Sequence, residues 1–144
     1  MIFIAHRGNV DGKKIAEENK PSYIEAALSL GYDVEVDIWH IDDGWFLGHD
    51  KPQYKIDISF LKNERLWCHA KNIQAFSRML NSKIHCFWHQ NDDITLTSRG
   101  YIWTYPDQEL VTNSVCVMPE ITGQNFSNCA AICSDVVAKY RHDT

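Results

Sequence analysis

The run Val34-Glu35-Val36-Asp37-Ile38 constrains the fold more than any other stretch. Apolar and acidic residues alternate with the period of a β-strand, so the three aliphatic side chains share one face and both carboxylates share the other. Two acids on one face of an apolar strand carry a heavy desolvation cost unless their charge is offset. Carboxylate oxygens are the ligands that Mg²⁺ or Ca²⁺ prefer, so a divalent cation is one solution. A solvated edge strand is the other. Asp42-Asp43-Gly44 then forms a hairpin-type turn. Trp45-Phe46-Leu47 runs back from it to Gly48-His49-Asp50, returning an imidazole towards the carboxylates. On the solvated-edge alternative, that histidine is simply satisfied by its neighbours.

Upstream, Ile2-Phe3-Ile4-Ala5 is a short apolar strand that runs into His6-Arg7-Gly8. Asn19-Lys20-Pro21-Ser22 opens a helix, with proline tolerated in its first turn. Tyr23, Ile24, Ala27, Leu28 and Leu30 give that helix an apolar face, and Gly31 ends it. Strand, helix and strand in succession make a βαβ unit, whose strands are parallel. A third strand is expected over 66–71, with His69 and Lys71 two apart on its inward face. Asn72 caps a helix whose buried stripe is Ile73, Phe76, Met79 and Leu80. Further strands are expected at 84–89, 101–105, 114–118 and 130–135, with a short terminal helix over 136–140. Residues 92–97 read equally as a weak strand or a loop, and 52–57 as a turn-rich connection.

These elements predict a single α/β domain over residues 1–144, a compact, reduced (β/α)8 TIM-like barrel with several helices shortened or missing. Such barrels typically need about 250 residues, and this chain has 144. The connections after residues 89 and 105 are too short for a full helix. Either helices are absent, or a partner subunit in a homodimer covers the exposed faces.

Read in order, His6-Arg7, Glu18-Asn19, Glu35-x-Asp37 and His49-Asp50 resemble the signature of the glycerophosphodiester phosphodiesterase family. Its superfamily includes sphingomyelinases D and, more distantly, phosphoinositide-specific phospholipases C. Order, spacing and the intervening helix-then-strand pattern match over residues 1–50. The resemblance implies metal-dependent hydrolysis of a small glycerophosphodiester-like substrate. It implies that Glu35 and Asp37 ligate the metal, that His6 and His49 form an acid–base pair, and that Arg7 lies near the phosphate. Lys71 matches a phosphate-binding lysine. Trp103 resembles a late-strand tryptophan that lines the pocket, with a plain core aromatic as the alternative.

The third strand departs from the family pattern of an acidic residue, one spacer and Lys, because this chain has His69-Ala70-Lys71. His69 can stand in for the missing ligand, which weakens the preference for Mg²⁺ or Ca²⁺ and favours Mn²⁺ or a later metal. Alternatively Glu120, at another strand end, restores the carboxylate. If metal binding is lost, the chain becomes a non-catalytic module that binds a phosphate ligand. His89 and Asp135 also fall at strand ends, where packing roles are expected. His40 and His85 are assigned to surface or core, and His142 to the tail.

Phosphodiester cleavage suits these residue types. Charge grows on the phosphoryl oxygens, where a cation and a positive side chain stabilise it. One histidine takes a proton from the attacking hydroxyl and the other gives one to the leaving oxygen. The net charge of −5 argues against an extended nucleic-acid surface. It leaves room for one small phosphate-containing ligand in a locally positive cleft. Cys68, Cys86, Cys116, Cys129 and Cys133 show no C-x-x-C pair, and three lie in apolar strand-like runs. Buried free thiols in a reducing cytoplasm are the expectation. The opening apolar run is too short for a signal peptide. No apolar run approaches the ~18 residues of a membrane span, so no stable membrane insertion is expected.

Overall fold

The computed structural model describes residues 1–142; residues 143 and 144, the end of the expected domain, lie outside them, as does the side chain of His142. The chain runs β1 (Ile2–His6), α1 (Pro21–Ser29), β2 (Asp33–Ile41), β3 (Gly44–Leu47), β4 (Tyr54–Ile56), α2 (Ile58–Leu61), β5 (Leu66–Ala70), α3 (Ile73–Asn81), β6 (Cys86–Trp88), β7 (Ile94–Leu96), β8 (Ile102–Thr104), β9 (Ser114–Val117), α4 (Pro119–Thr122), β10 (Ala131–Ser134) and α5 (Val137–His142). The expected βαβ start is present, with β1 and β2 parallel and His6 abreast of Glu35.

Parallel pairing continues in both directions, in the order β6-β5-β2-β1-β10-β9-β8. Strands β3 and β4 extend β2 as an antiparallel meander, and β7 lies antiparallel on β8. The sheet curls so that β6 approaches β7 and β8 without pairing with them. Phe87 of β6 stacks on Trp103 of β8 with ring centroids 4.6 Å apart, and Trp67 of β5 lies 6.0 Å from the same indole. Between β6 and β7 the contact is carried by separate bonds rather than a ladder: Ser98 N–H donates to the Cys86 carbonyl at 2.8 Å and Thr95 Oγ1 to the Trp88 carbonyl at 2.9 Å. The architecture is therefore a mixed α/β half-barrel with few helices.

Strand alternation builds two apolar layers. Ile4, Trp67, Phe87, Trp103, Val115 and Cys133 point into the curl. Their neighbours Ala5, Val36, Cys68, Cys86, Cys116 and Ile132 point outward into a second layer, shared with buried residues of α1, α3 and α5. All five cysteines are buried and free, as the sequence suggested. Among the described residues no helix is long and apolar enough to cross a membrane.

Several local expectations need correction. Leu30 caps α1 instead of joining its buried face and is 57% exposed. In α3 the stripe facing the sheet is Ala75 and Met79 with Phe76 beside them, whereas Ile73 and Leu80 are exposed. Positions 73 and 80 are seven apart and so share one flank, which the helix turns to solvent. Residues 54–56 form a true edge strand within the expected turn-rich connection, and 94–96 settle as a strand.

Candidate functional site

The strands that carry the motif residues lie side by side, and their C-terminal ends open on one cavity of about 540 Å³. His6, Arg7, Glu35, His49, His69, Lys71 and Trp103 all line it. Asp37 stands behind Glu35, fully buried, and opposite His69 in the β2–β5 register. Trp103 meets both expectations: it lines the cavity and is only 2% exposed within the inner layer.

Glu35, Asp37 and His69 form the cluster able to hold a metal ion. One ligand atom from each lies within 4.8 Å of the others. Glu35 Oε1 and Asp37 Oδ1 are buried without a hydrogen-bond partner, which is costly for a carboxylate and suits a cation ligand. The imidazole is already aimed. His69 Nε2 lies 3.0 Å from the His89 carbonyl, and because a carbonyl can only accept, Nε2 carries the hydrogen. Nδ1 then faces Asp37 Oδ1 at 3.3 Å and Glu35 Oε2 at 3.8 Å. In the neutral ring that atom holds the free lone pair, the state a metal requires.

Charge is balanced within the chain as well. Burial opposes ionisation of both carboxylates. Asp37 nevertheless stays ionised and below its usual range, because His69, Arg7 and Asn19 favour the carboxylate. Arg7 Nε lies 3.4 Å from its Oδ2. Asn19 donates to that same oxygen at 2.8 Å and accepts the Asp37 backbone N–H at 3.0 Å. Glu35 carries the cost instead, since burial and the neighbouring Asp37 charge push its pKa up. His69 is raised: burial lowers it, but the Asp37 and Glu35 carboxylates beside Nδ1 outweigh that.

His6 is held from behind. Its Nδ1 lies 2.8 Å from Asp135 Oδ1, so Nδ1 carries the hydrogen and Nε2 faces the cavity, 3.9 Å from Glu35 Oε1. Burial lowers the His6 pKa, but Asp135 and Glu35 more than reverse this and hold it above 6.5. Asn9 Nδ2 bridges Asp135 Oδ1 at 2.9 Å and Glu18 Oε2 at 2.7 Å, and Glu18 Oε1 accepts from Arg7 at 3.2 Å. One network therefore ties the histidine to the arginine.

His49 reaches the cavity because of Gly48. That residue has φ +155, and a Cβ there would sit 2.0 Å from the Lys51 carbonyl oxygen, so only glycine fits. Its carbonyl accepts from Trp39 Nε1 at 2.7 Å. His49 Nδ1 lies 2.7 Å from Asp50 Oδ1.

Glu120, the alternative third ligand, is elsewhere. Its carboxylate accepts from Ser134 Oγ at 2.9 Å and from Asp135 N–H at 3.3 Å. The reason is α4: the chain turns after β9 through Met118 in the left-handed region, φ +52, and carries Glu120 away in the first helical turn. Asp135 and His89 have more than the packing roles expected of them, one orienting His6 and the other fixing the His69 tautomer. Their position at inner-facing strand ends was the available signal. Asn9, in a polar loop, gave none. His85 lies in the core, where burial lowers its pKa to about 4.

Compared with family models, curated proteins and solved structures, the chain matches none of them.

Proposed function

We propose that this protein is a metal-dependent phosphodiesterase of the glycerophosphodiester phosphodiesterase type, on a reduced (β/α)8 barrel. One observation carries the reading: residues from 6–7, 35–37, 49 and 69–71 converge on a single cavity, with two histidines beside a carboxylate pair. A simple anion binder has no use for buried, unpartnered carboxylate oxygens in its pocket.

Glu35, Asp37 and His69 would hold the cation, and its ligand set of two oxygens and one nitrogen favours Mn²⁺ over Mg²⁺ or Ca²⁺. Bound there, it supplies positive charge to the phosphoryl oxygens in the transition state. Arg7 and Lys71 add fixed positive charge to the same oxygens. His6, whose protonated form Asp135 favours, gives its Nε2 proton to the leaving oxygen. His49, lining the same cavity, takes the proton of the attacking hydroxyl, and the two then exchange roles. The inner aromatic layer closes the cavity floor to water.

A second reading, a non-catalytic phosphate-binding module, is favoured by the internal charge balance that His69 and Arg7 give the carboxylates. Hydrolysis of bis-p-nitrophenyl phosphate and of glycerophosphodiesters with Mn²⁺, Mg²⁺ or Ca²⁺, and with chelator, separates the two. Chelator-sensitive turnover supports the enzyme. Binding of the diesters without turnover, under every metal, supports the module.

A further inference from the structure

The catalytic cavity is one half of a longer groove. A second cavity of about 440 Å³ adjoins it and shares Arg7 and His49 as lining residues. The two halves differ in character. Beyond the shared residues, the first carries Glu35, Lys71 and three further histidines, and the rest of its lining, which includes Tyr105, Pro106, Val117, Met118 and Ile121, is uncharged. The second is polar, with Lys13, Lys51 and Gln53 exposed around it.

Its charges do not cancel. Glu18 is paired with Arg7 and hydrogen-bonded to Asn9, and Asp50 is hydrogen-bonded to His49, so Lys13 and Lys51 face one remaining carboxylate charge. The lysines nearby in sequence are paired, Lys14 with Asp11 and Lys20 with Glu17. Lys13 and Lys51 form no ion pair among the described residues. Lys13 is near enough to the centre for its charge to favour the ionised form of Asp135. A phosphodiester held at Arg7 and His49 would have one alcohol in the first cavity and the other in the second, beside Lys13 and Lys51.

We propose that the alcohol on the Lys13–Lys51 side carries a second anionic group, such as a phosphomonoester, and that these lysines select for it. This rests on the phosphodiesterase reading of the neighbouring cavity and adds a substrate class to it. Two lysines converging on one phosphomonoester give charge-assisted contacts worth at least about tenfold in affinity. Because both are exposed, salt screens the preference.

The test compares glycerophosphoglycerol with the same diester bearing a terminal phosphomonoester. With Mn²⁺ at low ionic strength, the phosphorylated diester should show at least about tenfold higher kcat/KM, falling as salt is added. Lys13→Ala with Lys51→Ala should erase that ratio. Equal kcat/KM for the two diesters in the wild type overturns the proposal, as does a ratio that survives the double variant. Calorimetric titration of both compounds into wild type and double variant reads the same ratio without turnover. If no diester is hydrolysed under any metal, the phosphodiesterase reading falls, and the calorimetric ratio alone decides the anion preference. Circular dichroism melts confirm that the double variant is folded, as expected for two surface substitutions.

Discussion

Glu35→Gln tests the electrostatics of the centre most directly. Burial and the Asp37 charge raise the Glu35 pKa from 4.5 to about 7. At ~1.4 kcal/mol per pH unit, holding the charged form in the folded state costs about 3 kcal/mol. The side chain is 3% exposed, so solvent screening takes little of this away. The sign follows from linkage. A carboxyl with a raised folded pKa binds its proton more tightly folded than unfolded, so its contribution is intact below pH 4.5 and is lost as pH rises through about 7. Glutamine keeps the neutral state at every pH. In chelator, the variant should melt only about 3 °C above the wild type at pH 5, and roughly 10 °C above it at pH 8. Differential scanning calorimetry at the two pH values measures the gap. Added Mn²⁺ should then raise the wild-type melting temperature at pH 8 and leave the variant almost unmoved. A gap of equal size at both pH values, or a variant less stable at pH 8, refutes the reasoning.

Other perturbations probe the neighbouring residues. Asp135→Asn removes the charge that raises the His6 pKa, so the histidine NMR titration should move to lower pH and kcat should fall by about 10²; an unmoved titration removes Asp135 from that role. His69→Ala should weaken Mn²⁺ binding at least about tenfold, with affinity in the wild type falling as the imidazole protonates. Glu120→Gln should leave Mn²⁺ affinity as it was, because that carboxylate bonds Ser134 and Asp135 instead; the reverse pattern in calorimetric titrations would reinstate Glu120 as ligand. Asn19→Ala loses both bonds to Asp37 at a residue with φ +65, and urea denaturation should show about 2–3 kcal/mol of destabilisation.

Much of the inner layer was legible because strand alternation is a local property. Once 34–38 is a strand with aliphatics on one face, Glu35 and Asp37 must share the other. The same parity sets His69 and Lys71 together. Asp42-Asp43-Gly44 announced the hairpin, and with it the return of His49. What the sequence could not supply was partnership over distance. His6 and Asp135 are 129 residues apart, and their bond exists only because β10 pairs with β1 as the sheet curls. Asn9 had no periodic signal, since its role depends on Glu18, Tyr23 and Asp135, which only the fold brings together. The flank that α3 turns to solvent was set by how the helix docks, so Ile73 and Leu80 looked buried and are not. Glu120 comes just after a strand, yet a left-handed residue two places earlier carries it away from Glu35, Asp37 and His69. Local alternation fixes which face a side chain takes, and only the closing of the sheet decides what it meets there.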